Sequence, residues 1–251
     1  MSVNVLSIEK LRCEPFSSIL CYPRPSKDEL DKRIRELAGL GISAIEFAGE
    51  KKILNMPVLG KGCVGLVVIA HLGSQRVALK IRRVDAGRDM MFHEAQMLRV
   101  ANSVSVGPKL IVASEDFLLM QLIEGSLLPK WLYGVVEKKL LIKVLLDLLE
   151  QCWRLDMVHL DHGELSYAPK HVIVDPFNRP FIVDFETASL TRKPSNVTSL
   201  AQFLFISGAL ADKITGMLDI ADKNAVIEAL RRYKADKNRQ NFENILAACF
   251  R

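Results

Sequence analysis

The sequence has no long apolar run. Stretches such as residues 63–70 fall far short of the roughly 20 residues that a bilayer-spanning helix needs. Near the start, Glu9 and Lys10 interrupt the region where a secretory signal requires an unbroken apolar core. A cytoplasmic chain without a membrane partner is therefore expected. Cysteine is scarce: Cys13, Cys21, Cys63, Cys152 and Cys249 are scattered, and none forms a C-x-x-C pair. No histidine cluster stands at zinc-ligand spacing, so a zinc ribbon is excluded. An odd number of dispersed thiols suits a reducing compartment better than a disulfide framework. There is no internal repeat and no low-complexity segment, and no Gly-Lys-Ser/Thr follows the glycines, which excludes a Walker loop.

Of the 251 residues, 49% are apolar and 25% charged, enough to bury one large core or two modest lobes. A formal net charge of +5 favours an anionic ligand, ATP or RNA included, without selecting among them.

Along the chain the pattern changes twice. Residues 1–45 read as an N-terminal extension, in which Ser26 and Glu29 frame a capping box before Leu30, Ile34 and Leu37. From residue 44 to about 83, short apolar runs at 54–59, 66–70 and 77–81 predict strands, with a hairpin turn at Leu72-Gly73-Ser74. A helix is expected over 86–102, then strands at 109–113 and 117–122. Beyond Glu124-Gly125 the chain turns helical, with apolar residues at three and four spacing from Leu141 to Cys152 marking a helix over 137–155. A hairpin follows, its arms near 171–175 and 181–184, and then helices near 197–213, 222–234 and 238–250, with Asp222 and Asn238 as N-caps of the last two. Strands followed by helices indicate an α+β fold or two segregated lobes. The domains expected are an extension at 1–45, a β-rich lobe with one main helix at 46–123, and a reduced helical lobe at 124–251.

Gly60-x-Gly62-x-x-Gly65 is the chemistry-bearing motif of the first part. Glycines let backbone N–H groups approach phosphate oxygens closely. In a dinucleotide fold a helix would begin at Gly65, but Leu66-Val67-Val68-Ile69 is β-branched and apolar, and so a strand. Strand, Gly loop and strand is the order in which a loop folds over ATP, with a lysine on the third strand. Lys80, fifteen positions after Gly65, supplies it. Period-two alternation puts Val77, Leu79 and Ile81 on the core face, with Ala78 and Lys80 on the other. Glu94 on the next helix is the natural counter-charge for Lys80.

The set Gly60, Gly62, Gly65, Val67, Lys80 and Glu94 resembles the protein-kinase superfamily. Gln121 and Ile123 fall where its hinge holds adenine by main-chain groups, and Ala78 where a small residue lines the adenine pocket. His162-Gly163-Glu164-Leu165 and Asp184-Phe185-Glu186 are similar to sequences of its small divergent members. These include the RIO kinases, the kinase/ATPase subunit of the KEOPS tRNA-modification complex, and compact archaeal-type predicted serine/threonine kinases. The resemblance spans roughly residues 44–215. It implies a bilobal kinase-like fold, ATP and Mg²⁺ as cofactors, Lys80 on the α- and β-phosphates, and Asp184 as metal ligand.

The half of the motif set that selects an acceptor departs from the family. The acceptor-orienting carboxylate is Glu164 by the H-G-x-L match or Asp161 by an H-x-D reading, with spacing slightly in favour of Glu164. His171 stands where the family has an asparagine that binds a second metal, and Mg²⁺ prefers oxygen ligands. No Ala-Pro-Glu follows Asp184, so the surface that docks an extended peptide is missing. The function implied is ATP- and Mg²⁺-dependent phosphotransfer to serine or threonine of an unknown protein or of the chain itself. The alternatives are an ATPase or nucleotide-gated subunit of an RNA-linked partner complex, a small-molecule kinase, and a nucleotide-binding pseudokinase.

Overall fold

The computed structural model describes residues 4–134, 137–220 and 222–250, without the side chains of residue 4 and residues 167–169. The fold is α+β. It divides into two compact units, residues 1–96 with 109–122 and residues 97–108 with 123–251.

The first unit runs β1 (Asn4–Ser7), α1 (Phe16–Leu20), α2 (Lys27–Gly39), β2 (Ile42–Phe47), β3 (Lys51–Ile53), β4 (Met56–Val58), β5 (Gly60–Lys61), β6 (Gly65–Leu72), β7 (Gln75–Arg82), α3 (Met90–Ser103), β8 (Leu110–Ala113) and β9 (Phe117–Gln121). The last turns of α3 count with the second unit. The main sheet has the order β1-β2-β6-β7-β9-β8, with β5 beside β6, and all its pairings are antiparallel.

Alternation along β6, β7 and β9 gives this sheet two distinct faces. Leu66, Val68, Val77, Leu79, Ile81 and Leu119 point into one core, closed by Leu11, Ile19, Leu20, Ile34 and Leu37 from the first 45 residues. On the opposite face Leu118 packs against Met91 and Ala95 of α3. Ser26 caps α2 by accepting from the Glu29 N–H at 3.3 Å, as its capping box predicts.

The described residues 4–45 are thus part of the first unit's core rather than an appendage, and residue 45 lies inside β2. The tie is polar as well as apolar. Arg33 of α2 is fully buried and donates to the carbonyls of Leu20 (2.6 Å) and Arg82 (2.7 Å) and to Asp116 Oδ1 (2.8 Å). Asp116 also accepts from Arg82 Nε at 3.0 Å and lies 2.9 Å from Lys32 Nζ.

The apolar run 54–59, expected as one strand, is divided. Leu54 and Asn55 adopt φ of 48° and 65°, the two left-handed residues of a type I′ turn that joins β3 to β4. Apolar periodicity carries no trace of such a turn when one of its residues is leucine.

The second unit contains β10 (Ser126–Leu127), α4 (Leu128–Tyr133), α5 (Lys138–Met157), β11 (Val172–Val174), β12 (Pro180–Ile182), α6 (Asn196–Ala201), α7 (Ala209–Leu218), α8 (Lys223–Ala235) and α9 (Arg239–Cys249). The expected hairpin is β11–β12, and β10 adds a third antiparallel strand, too short for periodicity to reveal. The helix expected over 197–213 is broken: a π turn over Gln202–Ile206 ends at extended Ser207, and Gly208 has φ 97°. Asp222 and Asn238 cap α8 and α9 through side-chain oxygens. Among the described residues, no single helix is long and apolar enough to cross a membrane. The bent pair 196–206 and 209–218 passes by length and composition only, and its side chains Leu200, Leu204, Phe205 and Ile214 are buried.

Candidate active site

In the first unit, β7 carries Lys80 on the α3-facing side of the sheet. Its ammonium lies 2.7 Å from Glu94 Oε2, with both side chains almost wholly buried. A buried ammonium needs a counter-charge to offset its lost hydration, and α3 brings one. Val67 lies opposite Lys80 in the β6–β7 register, and Ala78 lies two positions along the same face. The structure therefore brings Val67, Ala78, Lys80 and Glu94 together on one face of one sheet.

The Gly loop is a tight connection between β5 and β6. Gly60 pairs with Val67, and the Gly62 N–H donates to the Gly65 carbonyl at 2.8 Å. Conformational freedom is not what Gly60 and Gly65 contribute, since neither has a positive φ. What Gly65 supplies is space. A Cβ there would stand 2.8 Å from the Ile81 carbonyl oxygen and 3.1 Å from Lys80 Cγ, so the loop crosses the lysine stem only without a side chain. Gln121 ends β9, and its N–H donates to the Lys109 carbonyl at 2.8 Å. One of the main-chain groups expected to face adenine is thereby committed within the sheet. Ile123 opens the longer of the two segments that make up the second unit.

In the second unit, β11 and β12 present a second cluster. His171 immediately precedes β11, and its carbonyl accepts from the Val183 N–H at 2.9 Å. Its Nε2 lies 3.0 Å from Glu164 Oε2, and its Nδ1 lies 3.7 Å from Asp184 Oδ2. One ligand atom from each of Glu164, His171 and Asp184 can be chosen so that all lie within 4.8 Å of one another. Asp184 has φ 70°, a left-handed conformation that a non-glycine residue adopts at some cost and that concentrates at functional sites.

Asp161 is placed differently from Glu164. Its carboxylate accepts from Arg192 Nε (2.8 Å) and from the Ser195 N–H (3.1 Å) and hydroxyl (3.3 Å). Its main chain exchanges both hydrogen bonds with Ser189. It anchors the short segment after Asp184 and is buried, whereas the Glu164 side chain is 38% exposed. Gly163 has φ 87°, and a Cβ there would come within 2.5 Å of Arg192 Nη2. Glycine is therefore required beside Glu164.

His162 and Phe185 stood in the sequence motifs without an assigned role, and Asp156, Asn196 and Tyr233 carried no signal there. His162 is wholly buried, and its Nε2 lies 3.1 Å from the Val183 carbonyl while its ring edges on Phe185. Burial, aided by nearby His171, lowers its pKa to about 4, so the ring is neutral at pH 7 and Nε2–H is the donor. Asp156, at the end of α5, accepts from Asn196 N (2.9 Å) and Nδ2 (2.8 Å) and from the Tyr233 hydroxyl (2.9 Å). It ties α6 and α8 to α5, and burial raises its pKa above the ordinary carboxylate value.

No family model matches the sequence. The uncharacterized protein MJ1211 of Methanocaldococcus jannaschii is 27% identical over 117 residues, which cover 46% of this chain and 98% of that protein.

Proposed function

We propose that the chain is an ATP-dependent phosphotransferase of the protein-kinase-like kind, acting on serine or threonine hydroxyls of a protein, itself included. The observation that carries this reading is the buried Lys80–Glu94 pair at 2.7 Å, on the sheet face shared with Val67 and Ala78 and crossed by Gly65. In this reading the first unit is the β-rich lobe and the second the reduced helical lobe. Loop N–H groups and Lys80 hold phosphates, Glu94 orients Lys80, and Val67 and Ala78 line the adenine.

The acceptor hydroxyl attacks the γ-phosphorus as the bond to the β,γ-bridging oxygen breaks, and ADP leaves. Glu164 orients that hydroxyl and accepts its proton; Asp161, held by Arg192 and Ser195, supports the loop. A bound divalent cation would offset the charge on the phosphates. The family resemblance implies Mg²⁺, and the Asp184 carboxylate suits it, but the imidazole of His171 does not suit an all-oxygen magnesium site.

One observation favours a second reading, an ATPase within an RNA-linked partner complex. The segment after Asp184 is short and tied down through Asp161, which offers an extended peptide little to dock on.

The test is incubation of the purified chain with ATP radiolabelled at the γ-phosphate, alone, with lysate protein, with small metabolites and with RNA. Phosphoprotein that disappears in Lys80→Met supports the first reading. Free phosphate stimulated by RNA, without phosphoprotein, supports the second. A labelled metabolite identifies a small-molecule kinase. Nucleotide binding without turnover identifies a pseudokinase, and turnover indifferent to Lys80→Met overturns the assignment of the site.

A further inference from the structure

His171 poses a chemical question that its neighbours do not answer. The ring is buried, with only 7% of the side chain exposed. One nitrogen has a clear partner: Nε2 lies 3.0 Å from a Glu164 carboxylate oxygen, which only accepts, so the proton sits on Nε2. In the neutral ring Nδ1 then carries a bare lone pair. That atom is buried and has no hydrogen-bond partner among the described residues, a situation that ordinarily costs about 1–3 kcal/mol.

No hydrogen bond joins Nδ1 to Asp184 at this spacing. An N–H there would need an acceptor within about 3.2 Å, and the Asp184 oxygen it faces is 3.7 Å away. What faces the lone pair at that distance is another Lewis base. An imidazole nitrogen and a carboxylate oxygen at this spacing, with the Glu164 carboxylate beside them, can share a cation. Ligands at about 2.1 Å from one ion stand roughly 3–3.5 Å apart, so closing this pair onto a metal requires a shift of only a few tenths of an ångström.

We infer that His171 Nδ1 and Asp184 form a nitrogen–oxygen chelate for a borderline first-row divalent cation, of the Mn²⁺–Zn²⁺ class rather than Mg²⁺. Glu164 is the outer carboxylate that fixes the tautomer and aim of His171. Imidazole donors suit such ions, whereas Mg²⁺ takes oxygen donors and retains its waters. A carboxylate accepting from the far nitrogen of a metal-bound histidine raises its basicity and locks its orientation. The departure at His171 from the family's asparagine becomes a change of preferred ion, and Glu164 gains a positioning role through one oxygen while the other stays available to an acceptor. The inference rests on the proposed function only in taking this ion to be the one that accompanies the nucleotide; the chelate itself involves no nucleotide.

The direct experiment is NMR on full-length, imidazole-¹⁵N-labelled protein without nucleotide. The His171 ring nitrogens are assigned against His171→Asn, and Zn²⁺ is added. The expected result is a metal-induced shift at Nδ1, with Nε2 remaining protonated. A companion measurement follows Mn²⁺ by electron paramagnetic resonance in competition with Mg²⁺. Wild type should retain Mn²⁺ against a tenfold excess of Mg²⁺, His171→Asn should lose that preference, and Glu164→Gln should weaken Mn²⁺ binding by about 10- to 100-fold. An unmoved Nδ1 resonance in the wild type, which requires no variant to fold, overturns the inference, as does equal competition by the two ions. Lys80→Met separates the two claims. Nitrogen-ligated metal with no ATP binding in wild type leaves the chelate and removes the kinase-like reading. ATP binding sensitive to Lys80→Met with no nitrogen-ligated metal does the reverse.

Discussion

Substituting Asp116 by alanine should destabilise the first unit more than almost any other single change there. Its carboxylate is wholly buried and neutralises two buried guanidiniums, with Arg33 Nη2 at 2.8 Å and Arg82 Nη2 at 2.5 Å. Lys32 adds a third contact at 2.9 Å. Removing one partner of a buried ion pair strands the others in a low-dielectric site, at a cost of about 3–5 kcal/mol. Both arginines keep backbone acceptors, namely the Leu20 carbonyl for Arg33 and the Ala86 carbonyl for Arg82, so the lower half of that range is expected. At about 1.4 kcal/mol per decade, the slowest-exchanging amides of β6 and β7 should lose roughly a hundredfold of protection. Hydrogen exchange is the suitable assay, because both tryptophans, Trp131 and Trp153, belong to the second unit and fluorescence would report on the wrong one. A loss below threefold, or one confined to α2, would refute the claim that this network joins the first 45 residues to the sheet.

The same carboxylate gives a pH dependence. Burial alone would raise its pKa, but Arg33, Lys32 and Arg82 more than reverse that and hold it below the ordinary value. The stability it contributes is therefore complete above about pH 4 and is lost as pH falls through the lower folded value. Acid titration of Asp116→Asn should show a shallower loss of β6 and β7 protection than wild type, and parallel curves would contradict it. Gly65→Val should weaken ATP binding at least tenfold by calorimetry while costing only about 1–3 kcal/mol of stability from overpacking, because the new side chain meets the Lys80 stem; unchanged affinity would count against Lys80 as a phosphate ligand. Asp161→Asn should lower the melting temperature of the second unit, at a cost of about 1–2 kcal/mol, the half-exposed Arg192 softening the loss. It should leave ATP affinity within twofold, and a large loss of affinity would move the acceptor role back to Asp161.

Much of the candidate site was legible because it depends on local pattern. Alternation along 77–81 placed Lys80 opposite Val77 and Leu79, and motif order placed Glu94 on the next helix. The caps at Ser26, Asp222 and Asn238 were readable because capping needs only a few consecutive residues. Long-range polar chemistry stayed hidden. Nothing near Arg33 signals a partner 83 positions away, so residues 1–45 read as an extension although they close a core. Spacing slightly favoured Glu164 over Asp161 as the acceptor-orienting carboxylate but could not reveal that Asp161 is held by Arg192, 31 positions away. The break at Gly208 and the turn at Leu54-Asn55 were missed for a related reason: in an apolar run a chain reversal leaves the composition unchanged.

Calorimetric titration of the purified full-length chain with ATP, in the presence of Mn²⁺ or Mg²⁺, tests the central claim most directly. The account predicts one saturable site per chain, weakened at least tenfold by Lys80→Met. Absence of ATP binding by the wild-type chain, or an affinity that Lys80→Met leaves unchanged, would contradict it.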